Sequence, residues 1–180
     1  MPVNYKNIPA GQLINFTSTL NKITGKPLYL HFYNPACPCS RFYTSTFKNL
    51  AKRYGTKIDF VVIVVSQDNY SIKAIQHEFG TGVSIIADQS IAKVCGVYSI
   101  PQVVLLNKDH RLYFRGDYNR ARFCNDEKNN YANIAINKLL YAKTNLEFKS
   151  NASKSYGCAL LGCTLKHPVN HGTHGLKLYL

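Results

Sequence analysis

Leu28, Tyr29, Leu30, Phe32 and Tyr33 make a nearly unbroken apolar run, and residues 58–65 repeat it as Ile-Asp-Phe-Val-Val-Ile-Val-Val. Short runs rich in β-branched and aromatic side chains predict strands covered on both faces. Between them Tyr43, Phe47, Leu50, Ala51 and Tyr54 recur at helical spacing and stop at Gly55. Ahead of the first strand, Leu13, Phe16 and Leu20 define one face of an expected helix over 9–23, ended by Gly25 and Pro27.

Further along, Ile72, Ile75 and Phe79 mark a helix over about 70–79 with all three inward. A short strand is expected at 83–87 and a short helix after Asp88. Residues 103–107 and 112–115 read as a hairpin joined through Lys108-Asp109-His110. A last helix spans 127–145, with Tyr131, Ile134, Ala135, Leu139 and Ala142 on one side. The order α-β-α-β-α-β-(α)-β-β-α predicts an α/β fold whose mixed central sheet is flanked by helices. Residues 147–180 are polar and weakly patterned, so an irregular C-terminal extension is expected, packed on or tethered to a domain of residues 1–146.

A chain of 180 residues can bury a proper core. Its net charge of +13 could attract nucleic acid, anionic membrane or acidic proteins. The basic residues are scattered, however, with only a loose basic region at Lys108, Arg111, Arg115, Arg120 and Arg122. A generally basic surface is expected, and no nucleic-acid partner. No run approaches the length of a membrane span. The Met-Pro-Val-Asn start has neither a basic nor an apolar leader, so an exported form would need its targeting segment or membrane tether ahead of these residues. Cysteines at 37, 39, 95, 124, 158 and 163 agree with an oxidising compartment and tip the expected location towards the bacterial periplasm or cell envelope.

Two of those cysteines stand where a strand meets a helix, in Cys37-Pro38-Cys39-Ser40-Arg41. A thiol at a helix start faces unpaired amides and the positive end of the dipole, and both favour thiolate. Pro38 suits the first helical turn, where an N–H needs no partner. Cys37 is therefore the candidate nucleophile, and Arg41 either adds positive potential or points into solvent. Pro101, in Tyr98-Ser99-Ile100-Pro101-Gln102, lies where the next strand begins, a place without a required ladder donor. A cis Ile100–Pro101 bond would turn the chain tightly and expose the carbonyl and N–H before it to a substrate peptide.

From about residue 9 to 145 the chain resembles the thioredoxin-like superfamily, through Phe32-Tyr33-Asn34-Pro35-Ala36-Cys37-Pro38-Cys39, Gly96-Val97-Tyr98-Ser99-Ile100-Pro101 and Tyr113-Phe114-Arg115-Gly116. It looks closest to an uncharacterised redoxin-related branch with a Cys-Pro-Cys-Ser-Arg-Phe motif. Arg115-Gly116-Asp117-Tyr118-Asn119-Arg120 and Tyr156-Gly157-Cys158 resemble that branch as well. The resemblance implies that Cys37 is the attacking cysteine, Pro101 the cis-proline opposite it, and Ile100 the residue whose backbone meets substrate. A thiol–disulfide oxidoreductase follows, working with a redox partner protein or a thiol or disulfide substrate, with no cofactor or resident metal and an open oligomeric state.

The second cysteine departs from the family's Cys-x-x-Cys spacing. Three residues after Cys37 comes Ser40, and positions i and i+2 of a helix point apart. A direct Cys37–Cys39 couple, the expected catalytic pair, therefore needs a distorted first turn; otherwise Cys37 acts almost as a monothiol with Ser40 beneath it. A remote resolving cysteine is the alternative, with Cys95 the main reserve and Cys124 and Cys158 further options.

Other classes remain. Cu(I) handling would use the Cys37 and Cys39 thiolates. A thiol peroxidase would want Thr or Ser where Asn34 stands, with Arg115 or Arg120 as cation, and a non-catalytic interaction domain would show the fold without turnover. In the tail, a Cys158–Cys163 disulfide is weighed against metal binding with His167, His171 and His174. Asp59 would shuttle a proton if it lay under Cys37, but is expected near the open end of its strand.

Overall fold

The computed structural model describes residues 7–16, 20, 25–121, 123, 126, 129–142 and 157–159. Its first strand, β1 (Leu28–Tyr33), is buried along its whole length. It is followed by α1 (Pro38–Phe42), α2 (Thr44–Tyr54) and β2 (Asp59–Val64). Then come α3 (Ile72–Phe79), β3 (Ser84–Ile86), α4 (Ser90–Val94), β4 (Ser99–Ile100), β5 (Gln102–Leu106) and β6 (Leu112–Gly116). The last described elements are α5 (Tyr131–Tyr141) and β7 (Cys158–Ala159). Five strands form one mixed sheet in the order β3-β2-β1-β5-β6, and β4 pairs separately with β7. β1 runs parallel to β2 and antiparallel to β5.

Alternation along these strands splits the core in two. Tyr29, Tyr33, Phe60, Val62, Val103 and Leu105 pack with Phe47, Phe79 and Ala135, contributed by α2, α3 and α5. Leu28, Leu30, Phe32, Val61, Ile63 and Val104 pack with Ile91 of α4 and with Ile14, Phe16 and Leu20 from the N-terminal segment.

That segment corrects one expectation. No helix forms over the described residues 7–16. The chain instead lies against the free edge of β6: Gly11 N donates to Leu112 O (2.7 Å), Leu112 N to Gln12 O (2.9 Å) and Ile14 N to His110 O (3.0 Å). An edge strand offers unpaired backbone groups, and here they take this segment as a partial sixth strand. Leu13 is thereby turned outward, 44% exposed, while Ile14, Phe16 and Leu20 are buried.

Two helices differ in detail. Ser71 accepts from the Ala74 amide and starts α3 one residue on, leaving Ile72 exposed rather than inward. Asn130 caps α5 in the same way, through the Asn133 amide, and its buried face is Ala132, Ala135 and Ile136. Asp59 begins β2 opposite Leu28, at the far end of the sheet from Tyr33, and pairs with Lys26 at 3.8 Å. It is remote from the end of β1 that leads to Cys37. No helix among the described residues is long and apolar enough to cross a membrane.

Candidate functional site

β1 delivers the chain into a tight turn. The Cys37 amide donates to the Asn34 carbonyl (3.0 Å), and the Ala36 amide donates to Asn34 Oδ1 (2.9 Å). The Asn34 amide in turn donates to Ser40 Oγ at 3.3 Å. Cys37 occupies the cap position just outside α1, with extended angles φ −90° and ψ 115°, and Pro38 follows in the first helical turn. Because Cys37 is not helical, the opposition of positions i and i+2 on a helix does not separate it from Cys39. The sulfurs of Cys37, Cys39 and Cys158 all lie within 4.8 Å of one another. Cys37 donates to the Cys158 sulfur across 3.3 Å. Neither is in a disulfide, nor is Cys39, and Cys37 and Cys39 are buried while Cys158 is half-buried.

Cys158 arrives on β7. Ile100 of β4 pairs with Cys158, and Ser99 with Ala159, in antiparallel register. The Ile100–Pro101 peptide that follows is cis. Gly157 lies so close to this turn that a Cβ on it would sit 2.6 Å from the Ile100 carbonyl carbon and closer still to its oxygen. Cys39, Pro101, Tyr118 and Gly157 line one shallow pocket beside the three sulfurs.

Burial, and then the adjacent Cys37 and Cys158 sulfurs, push the Cys39 thiol up to about 11, so it stays protonated at neutral pH. Below the pocket, Tyr118 stacks on Tyr43 with ring centroids 4.6 Å apart. The Tyr118 hydroxyl is hydrogen-bonded to His31 Nδ1 at 2.9 Å. His31 is fully buried on β1 and stacked on Phe47. Desolvation pulls its pKa down to about 3, so the ring is neutral. A lone histidine inside an apolar strand was the sequence signal for this residue, and sequence reasoning passed it over.

Residues 7–160 match the family described as "Domain of unknown function (DUF6436)". The chain belongs to the DUF6436 family. Its architecture is similar to a hypothetical protein of Sinorhizobium meliloti 1021, at TM-score 0.68 and 21% identity, covering 87% of this chain and 96% of that one. It is also similar to an uncharacterized conserved protein from Geobacillus kaustophilus, at TM-score 0.71 and 19% identity, covering 89% and 96%. A more distant likeness, at TM-score 0.50 and 10% identity over 61% of this chain and 89% of the other, is to the thioredoxin domain of a thiol-disulfide oxidoreductase from Bacteroides vulgatus. No curated protein matches the chain. At these identities the likenesses establish the thioredoxin-like fold.

Within this DUF6436 domain several expected residues lie elsewhere. Cys95 is not part of the sulfur cluster. It is buried at the end of α4 in the core on the other face of the sheet, and burial raises its thiol to about 12 although Arg115 lies near. Arg115 donates to the Cys95 carbonyl at 3.2 Å, which turns it towards that core. Ser40 is buried and fastens the Asn34 turn. Arg41 is exposed, with its charge acting on Tyr33 and Tyr70. The Asn34 side chain is committed to the turn. Cys124, Cys163, His167, His171 and His174 lie outside the described residues, and so does the expected boundary at 146.

Proposed function

We propose that this domain is a thiol–disulfide oxidoreductase in which Cys37 attacks and Cys158 resolves. The observation that carries the reading is the 3.3 Å approach of the Cys37 and Cys158 sulfurs beside Ile100, with which Cys158 pairs. In the reductive direction the Cys37 thiolate attacks one sulfur of a substrate disulfide. A Cys37–substrate disulfide forms and the second substrate thiolate leaves, taking a proton from solvent. Cys158, as thiolate, then attacks the Cys37 sulfur, releases the first substrate thiol and leaves a Cys37–Cys158 disulfide. The substrate has gained two electrons, and a dithiol redox protein restores the enzyme; the oxidative direction is the reverse.

Cys39 is a reserve resolver, within reach of both sulfurs but held as the thiol. Ile100 and Pro101 would hold the partner chain, and Ser40 would support the turn. The six cysteines favour an oxidising compartment, the bacterial periplasm or envelope, which fractionation of the native host would test. Turnover of a model protein disulfide with a dithiol donor tests the activity. Cys37→Ser should abolish it, and in the wild type oxidised protein should yield a Cys37–Cys158 peptide on mapping. Unchanged turnover in Cys37→Ser would refute the reading, and absence of turnover in the wild type would favour a non-catalytic interaction domain.

One observation favours a second reading, Cu(I) handling: Cys158 turns the expected two-sulfur site into a three-sulfur set, a soft donor group suited to that ion. Anaerobic purification should then retain copper that is lost in Cys158→Ser and in the double Cys37→Ser, Cys39→Ser variant. Absence of metal from the wild type against a competing chelator would rule it out.

A further inference from the structure

We infer that residues 157–159 are a substrate mimic bound in cis, and that the β4 edge selects extended polypeptide segments with glycine directly before the reacting cysteine. This rests on the thiol-exchange reading and names its substrate class.

Three observations converge. β4 stands outside the five-stranded sheet and pairs with β7 through Ile100 and Ser99, so its backbone serves as a docking rail for an added strand. The register places the Cys158 sulfur against Cys37, as the sulfur of a bound partner would have to lie. The residue before that cysteine meets backbone, not side chain: the Ile100 carbonyl carbon is 2.6 Å, and the Ile100 nitrogen 3.0 Å, from the place a Cβ would take. Flexible side chains can move aside, but Ile100 is held by its strand pairing. Any residue other than glycine must lift the strand off β4 or displace Ile100.

Substrate and resolver then compete for one rail, and each turnover is an exchange of strands as well as of sulfur bonds. A partner segment displaces 157–159, the Cys37 thiolate attacks its disulfide, and as the Cys37–partner bond forms the partner's own S–S bond breaks and its other sulfur leaves as a thiolate. When 157–159 return, the Cys158 thiolate attacks the Cys37 sulfur, the Cys37–partner bond breaks, and the partner thiolate departs and is protonated. The tether keeps the effective concentration of Cys158 high, so a partner must offer contacts along β4 beyond its cysteine to compete.

Two peptides identical except for Gly or Ala before the cysteine, each as a mixed disulfide with thionitrobenzoate, test the selection. Chromophore release and the mass of the Cys37–peptide adduct are followed with the full-length reduced wild type and with Gly157→Ala. The Gly peptide should react about tenfold faster or more than the Ala peptide on both proteins. Gly157→Ala should react severalfold faster than wild type with the Gly peptide, because its own strand no longer seats. It should close the Cys37–Cys158 bond more slowly.

Equal rates for the two peptides, or a slower reaction in Gly157→Ala with native circular dichroism and melting, would overturn the proposal. Dithionitrobenzoate alone separates the two levels of the claim. If it labels Cys37 rapidly while the peptides show no preference, selection fails and thiol exchange stands. If Cys37 is inert to it as well, both fail.

Discussion

Replacing Cys158 by serine should move resolution onto Cys39 and make it slow and strongly pH-dependent. With the Cys39 thiol raised to about 11, its thiolate fraction at pH 7 is about 10⁻⁴, against about 3% for a cysteine of ordinary pKa near 8.5. That is a deficit of about 300-fold, which the greater nucleophilicity of a more basic sulfur recovers by about 13-fold for a Brønsted slope near 0.45. Resolution by Cys39 should thus run about 20-fold slower at pH 7 than resolution by an ordinary thiol. Its rate should climb close to tenfold per pH unit until pH approaches the Cys39 pKa. Serine at 158 removes one of the charges that raise Cys39, but burial, the largest cause, remains.

The assay forms the Cys37–thionitrobenzoate adduct in Cys158→Ser and follows release of the second chromophore by stopped flow from pH 7 to 10. A pH-independent rate, or a plateau below about pH 9, would refute the assignment of Cys39 as a buried protonated thiol. A rate equal to wild type at pH 7 would refute Cys158 as the resolver.

His31 should make the fold acid-sensitive. Its folded pKa of about 3 lies below the unfolded value, so the unfolded chain binds more protons between about pH 6.5 and 3 and stability falls as pH drops through that window. The loss between pH 7 and pH 4 should be on the order of 3 kcal/mol in urea titrations and should shrink in His31→Leu; an unchanged slope in that variant would sink the argument. Tyr118→Phe leaves His31 Nδ1 without its hydroxyl partner and should cost about 1–3 kcal/mol, again by urea unfolding. Phe16→Ala should cost about 3–5 kcal/mol while Leu13→Ala stays within about 0.5 kcal/mol, whereas comparable losses would restore the helical face that groups them.

The strands at the sheet's centre were legible because each is buried on both faces, so residues 58–65 and Leu28–Tyr33 are apolar but for Asp59 and His31. The N-terminal segment was misread because Leu13, Phe16 and Leu20 satisfy helical spacing by coincidence. What decides its conformation is the free edge of β6, about a hundred residues later, and no local pattern reports it. The site divides along the same line. Cys37 and Pro101 could be read from their places at a strand's end and a strand's start. Helical geometry sets Cys39 apart from Cys37, and one torsion pair removes that separation, because Cys37 caps the helix instead of joining it. Cys158 was visible as one reserve among several, but its pairing with β4 is a long-range contact from a weakly patterned stretch.

The sulfurs of Cys37 and Cys158 touch across 121 residues of chain. A bond between them would close a loop that contains β2, β3, β5 and β6 and leaves only the central strand β1 of the sheet outside it. By the chain-entropy relation such a loop strips about 5 kcal/mol of freedom from the unfolded ensemble. Oxidation would then act as a global clamp and reduction as its release, so the melting temperature would read out the electron count at the site. Linkage runs the other way too. The fold itself would draw electrons out of the pair, by about 100 mV for this two-electron couple, and any mutation that loosens the fold would surrender part of that pull.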